Sequence, residues 1–131
     1  MNEGDFQRWV IDVARRCGWK VWHVPAPMRW SPKRKKFVGA KEAAGLPDLI
    51  LIHEDPPRLV FAELKGDSKL SDSQIAFLGA VRKVSVASVI ARVTDAGEAT
   101  FSPSEHPIAA YVWRPGMEEE VEAVLKTRML R

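Results

Sequence analysis

Apolar residues recur at three- and four-residue steps at the start of the chain: Phe6, Trp9, Val10, Val13, Ala14 and Cys17 fall on one face of a helix from Glu3 to about Arg16, which Gly18 ends. Trp19 to Val24 reads as a short strand stopped by Pro25 and Pro27, and a loop or irregular hairpin runs from there to Gly45. Two apolar runs follow, Asp48 to His53 and Leu59 to Leu64, joined by Glu54, Asp55, Pro56 and Pro57. Their continuous apolar character predicts central strands covered on both faces, paired as an antiparallel hairpin.

Ser71 and Gln74 fit a capping box at the head of a second helix, whose face continues through Ile75, Leu78, Val81 and Arg82. From Ser85 to Val93 the β-branched residues favour a strand over a continued helix. Asp95 to Gly97 is a turn signal, Thr100 to Pro107 irregular, Ala109 to Trp113 a strand, and Glu118 to about Met129 a closing helix behind Pro115 and Gly116. The order α-β-β-β-α-β-β-α predicts an α/β domain, a central mixed sheet flanked by helices, spanning residues 1–131 as one unit.

Composition narrows the chemistry. The single Cys17, with His23, His53 and His106, supplies no zinc-ligand spacing and no internal disulfide. No apolar run approaches the roughly 18 residues of a bilayer span, and the first residues are acidic and polar, so no membrane association and a cytoplasmic location are expected. The net charge of +3 is unevenly spread: six basic residues (Arg29, Lys33, Arg34, Lys35, Lys36, Lys41) and no acid lie between Arg29 and Lys41, leaving 14 basic against 17 acidic residues elsewhere. With Trp30 and Phe37 interleaved, the segment reads as an arm that contacts phosphates and stacks on bases; a solvated surface loop is the alternative.

The charged interruptions of the apolar strands need a reason. Side chains two apart share a strand face, so Glu63 and Lys65 point one way while Ala62 and Leu64 point into apolar packing. An antiparallel hairpin then brings Asp48, at the start of one strand, beside Glu63 at the end of the other. Two adjacent carboxylates repel unless a cation neutralises them. Hard oxygen ligands suit Mg2+ or Mn2+, and such an ion implies a phosphate ester substrate, with Lys65 placed to orient a water or offset transition-state charge. Pro-Asp followed by Glu-x-Lys arises by chance in roughly 3% of chains of this length, so the weight lies in its position at the ends of buried strands. A structural Glu63–Lys65 ion pair with a turn Asp48 is the competing interpretation. No esterase elbow, Walker loop or dinucleotide fingerprint is present. His23 can reach the site from the first strand or be structural; Trp9, Trp19, Trp22 and Trp113 read as core or subunit-interface residues, and Trp30 as either core or stacking.

The blocks Gly45-Leu46-Pro47-Asp48-Leu49-Ile50-Leu51, Val60-Phe61-Ala62-Glu63-Leu64-Lys65 and Leu70-Ser71-Asp72-Ser73-Gln74 resemble the VRR-NUC branch of the PD-(D/E)XK nuclease superfamily. Glu3 and Gln7 followed by Gly18-Trp19, and Tyr111-Val112-Trp113-Arg114-Pro115, resemble its flanks; an extra stretch between Lys83 and Ala109 departs from it. The resemblance implies a restriction-endonuclease-like core in which Asp48 and Glu63 bind the metal, helped by the Leu64 carbonyl, and Lys65 serves the attacking water. Glu3 would complete the acidic cluster directly or through water, and Gln74 would sit beside Lys65. It implies a DNA endonuclease acting on branched or structured DNA as a homodimer. A binding module without turnover, and a restriction or RNA-directed nuclease, are the alternatives.

Overall fold

A computed structural model describes residues 1–24, 28–39, 45–90 and 108–126. Helix α1 spans Glu3–Arg16, followed by strand β1 at Lys20–His23. Strands β2 (Met28–Ser31) and β3 (Lys36–Gly39) form a hairpin of their own, and β4 (Leu49–His53) and β5 (Arg58–Leu64) a second one. Helix α2 (Asp72–Ile90) leads to β6 (Ile108–Trp113) and α3 (Glu118–Lys126). The order of the main sheet is β1-β4-β5-β6, antiparallel except for the parallel pair β5–β6. The described residues thus form a mixed α/β fold with a four-stranded mixed sheet and three helices.

Local chemistry explains the element ends. Asn2 caps α1, its side-chain oxygen accepting from the Asp5 N–H at 2.8 Å. Gly18, at φ +88°, closes the other end: its own N–H donates to Arg15 and that of Trp19 to Ala14, the paired bonds of a Schellman motif.

One face of the sheet carries the core. Phe6, Val10, Val13 and Ala14 of α1, with Val121 and Leu125 of α3, pack on Leu49, Leu51, Val60, Ala62, Leu64 and Trp113. Trp19 fastens the far end of this layer, its indole N–H donating to the Leu125 carbonyl at 3.0 Å while the Arg58 guanidinium lies 5.1 Å above its ring. On the opposite face Phe77 of α2 meets Phe61 edge to face at 5.5 Å, and Leu78 is buried.

Two expectations are corrected, and one left open is decided. The stretch from Ser85 stays helical as far as Ile90, the β-branched side chains yielding to continuation of α2; residues 91–107, with the expected turn and irregular segment, lie outside the described residues. The inward face of α2 runs through Gln74, Phe77, Leu78, Val81 and Ser85, and Ile75 is 55% exposed, because the capping box fixes the phase of the helix on Gln74. The basic segment holds a register-paired hairpin, with its turn at Pro32 to Lys35. Among the described residues no helix is long and apolar enough to cross a membrane.

Candidate metal centre

The register of the β4–β5 hairpin pairs Leu49 with Ala62, so the next position out sets Asp48 opposite Glu63. Leu49 and Ala62 face the apolar core; Asp48, Glu63 and Lys65 therefore share the other face, at one end of the sheet. Asp48 is fastened twice. Its backbone carbonyl accepts from the Val24 N–H at 2.7 Å, and its Oδ2 accepts from the Leu64 N–H at 2.8 Å. The second bond ties the start of β4 to the end of β5 and fixes the carboxylate relative to Glu63.

Glu63 is the buried member, only 4% exposed. Gln74 Nε2 donates to its Oε1 at 2.8 Å, while Lys65 Nζ stands off at 3.9 Å. Burial first, and then the neighbouring Asp48 carboxylate, push the Glu63 carboxyl up to about 7, with the Lys65 ammonium opposing them. The alternative of a structural Glu63–Lys65 ion pair fits poorly with this geometry, since an amide and not the ammonium makes the close bond.

The same Gln74 closes the capping box. Its Oε1 accepts from the Ser71 N–H at 2.8 Å and its own N–H donates to Ser71 Oγ at 3.2 Å. One side chain therefore caps α2 with its oxygen and holds Glu63 with its nitrogen. The approach of α2 to the Asp48 segment depends on Gly45, which has φ +89° and where a Cβ would lie 2.3 Å from the Ser73 carbonyl oxygen.

The sequence reading left Arg114 without a role. Its Nη1 donates to the Gly66 and Ser68 carbonyls at 2.5 and 2.9 Å, holding the loop between Lys65 and α2, and the Lys65 N–H donates to the Trp113 carbonyl at 3.0 Å. The end of β6 thus anchors both the lysine and the loop after it. Only the unexplained cation of the Trp-Arg-Pro segment hinted at this.

Asp48, Glu63, Lys65 and Gln74 are brought together; other candidates are not. Glu3 lies over Gly66, its Oε2 3.2 Å from where a Cβ would stand, and no group of three or more His, Cys, Asp or Glu is gathered at metal-holding geometry among the described residues. The head of α1 thus rests on the loop just beyond Lys65, with the Glu3 carboxylate beside Gly66. His23 pairs with Leu49 on the core side of the sheet, with its Nε2 3.3 Å from Gln7 Nε2, so it faces α1 and not Glu63. In the basic segment Trp30, Lys33, Arg34, Lys35 and Lys36 are exposed, Arg29 enters through its backbone pairing with Val38, and Lys41 lies outside the described residues. No family model, curated protein or solved structure matches this chain.

Gly45→Ala should cost about 1–3 kcal/mol, from strain at positive φ and displacement of the first turn of α2. Urea unfolding would measure the loss, and rescue by a compensating change distant from Ser73 would contradict the assigned cause. Because the Glu63 carboxyl is raised from 4.5 to about 7 in the fold, the folded state holds the proton more tightly than the unfolded chain. Stability of the metal-free protein should therefore fall as pH rises from about 4.5 to 7, by on the order of 3 kcal/mol in all, and then level off. Glu63→Gln should remove that slope; identical pH profiles of urea midpoint for both proteins would disprove the assignment.

Proposed function

We propose that this chain is a divalent-metal-dependent DNA endonuclease hydrolysing phosphodiester bonds on a restriction-endonuclease-like core of the VRR-NUC kind, working as a homodimer on branched or structured DNA. The observation that carries this reading is the pairing of Asp48 with a buried Glu63 that resists ionisation, with the Lys65 ammonium alongside. The donor chemistry fits Mg2+ or Mn2+, which are held through one or two carboxylates and take their other ligands from water and phosphate. Asp48 and Glu63 would hold the ion, with the Leu64 carbonyl completing the protein's share. Bound there, it supplies charge to polarise a phosphoryl oxygen and to acidify a water.

The chain's own residues do the positioning. Gln74 fixes the Glu63 carboxylate in one orientation, and the Leu64 N–H does the same for Asp48. Lys65, with a side chain 17% exposed, orients the attacking water and offsets the negative charge that develops on the phosphorus-bound oxygens. The exposed cations of the β2–β3 hairpin bind phosphates away from the cut. Binding without turnover is the second reading, favoured by the exposed cations of the hairpin, which contact phosphates with no metal.

A labelled four-way junction incubated with Mg2+ or Mn2+ should be cleaved by the unaltered chain, and not after addition of excess chelator. Lys65→Ala should lower the cleavage rate at least ~100-fold with binding retained, and Asp48→Asn should abolish the metal dependence. Tight binding with no turnover under any metal would establish the second reading instead. Replacing Lys33, Arg34, Lys35 and Lys36 together by Ala should weaken binding and shrink the slope of log affinity against log salt by roughly 3–4. An unchanged slope would remove the hairpin from the DNA surface.

A further inference from the structure

Trp22, expected in the core or a subunit interface, is 51% exposed, which removes the core. It lies on the edge strand β1, where the register pairs it with Ile50. Ile50 pairs in turn with Phe61, so Trp22 shares the sheet face of Asp48, Phe61, Glu63 and Lys65. Helix α2 covers that face over β5 through Phe77, whereas at the β1 edge the indole stays half open.

Its position relative to the acid pair is fixed by the backbone. Two residues beyond Trp22, the Val24 N–H binds the Asp48 carbonyl at 2.7 Å, which locks the β1 edge to the segment that carries the carboxylate. On an antiparallel pair the residue diagonal to Asp48 across this ladder is Trp22, about 7–8 Å away between backbones. Past Val24 the chain continues to the β2–β3 hairpin, whose Lys33, Arg34, Lys35 and Lys36 are all exposed. A large flat ring thus stands on an exposed edge strand, diagonal to Asp48, and a cation-rich hairpin follows it in the chain.

We infer that Trp22 is a nucleobase-stacking contact that seats the strand being cut beside Asp48 and Glu63. The inference rests on the nuclease reading and adds to it a substrate-binding residue. An indole offers a face on which any base can stack, giving affinity without sequence preference, and the exposed cations nine to twelve residues beyond Val24 in the chain favour a polyanion as the occupant.

The test uses the Lys65→Ala protein with Mg2+, so that substrate survives, and a four-way junction carrying 2-aminopurine at successive positions around the cut. One position should be quenched on binding. Adding Trp22→Ala should abolish that quenching and weaken binding roughly 5- to 100-fold, while Trp22→Phe should keep most of both. Because the ring is half exposed, the melting temperature should barely move; if Trp22→Ala nevertheless fails to fold, the Phe variant and the parent's quenching pattern decide. No quenched position in the parent, or quenching and affinity within twofold after Trp22→Ala, overturns the stacking role while cleavage by the unaltered chain keeps the nuclease reading standing. A parent that neither binds nor cleaves DNA overturns both. Loss of a dimer on sedimentation after Trp22→Ala, with quenching unchanged, overturns the inference in favour of a subunit contact.

Discussion

An acid that resists ionisation, held at the end of a sheet beside a second acid, is the constraint on which the rest of this molecule turns. Glu63 has lost almost all contact with water, and the residue one step beyond the Leu49–Ala62 pair, across the hairpin from it, is another acid, Asp48. Burying a charged group costs several kcal/mol unless it is paired, and the cost rises when the neighbour has the same sign. The Lys65 ammonium at 3.9 Å offsets part of this, but it does not make the short, charge-assisted bond that would neutralise the group. The fold therefore keeps a local deficit of positive charge at one defined place.

Several elements cooperate to maintain that arrangement. The Gln74 amide is committed at both ends, to the cap of α2 and to Glu63, so the orientation of the carboxylate is coupled to the start of the helix. Gly45 lets the segment before Asp48 touch that same first turn, and Arg114 fastens the loop between Lys65 and the cap. None of these contacts adds apolar burial. They hold the polar groups of four separate chain segments in one geometry, which is what preorganisation of a charged site requires.

Much of this was legible in the sequence because it follows from periodicity. The register that sets Asp48 opposite Glu63 comes from two short apolar runs and a turn between them, and the strand alternation that separates Glu63 from Leu64 has a period of two. The capping box at Ser71 and Gln74 was likewise visible, being a local pattern with a local cause. What escaped depends on contacts distant in sequence. Arg114 binds carbonyls more than forty residues away, and nothing in a Trp-Arg-Pro string says where a guanidinium reaches. That Glu3 comes to rest over Gly66 was not legible either, because a helix face predicts burial, not where the helix end lies. The helix that continues past Ser85 shows that β-branched propensity does not by itself end a helix already begun, and Trp22 shows that an aromatic in a strand need not be core when its strand is an edge.

The competing structural interpretation of Glu63 can be weighed on the same geometry. A carboxylate kept only to brace the fold would be expected to take its lysine as a direct partner, or to be replaced by an apolar side chain at little cost, since buried ion pairs are weak stabilisers. Here the amide of Gln74 occupies one oxygen, the lysine stays at the limit of ion pairing, and the neighbouring Asp48 is locked in place by two backbone contacts that prevent it from swinging away. The bonds to Asp48 and Glu63 are themselves favourable; what they hold in place, a buried acid beside a second acid, is the costly part of the arrangement. An acid pair fixed by bonds from the segment after β1, from β5 and from α2 concentrates anionic oxygens at one end of the sheet, which is the arrangement the proposed cation would balance.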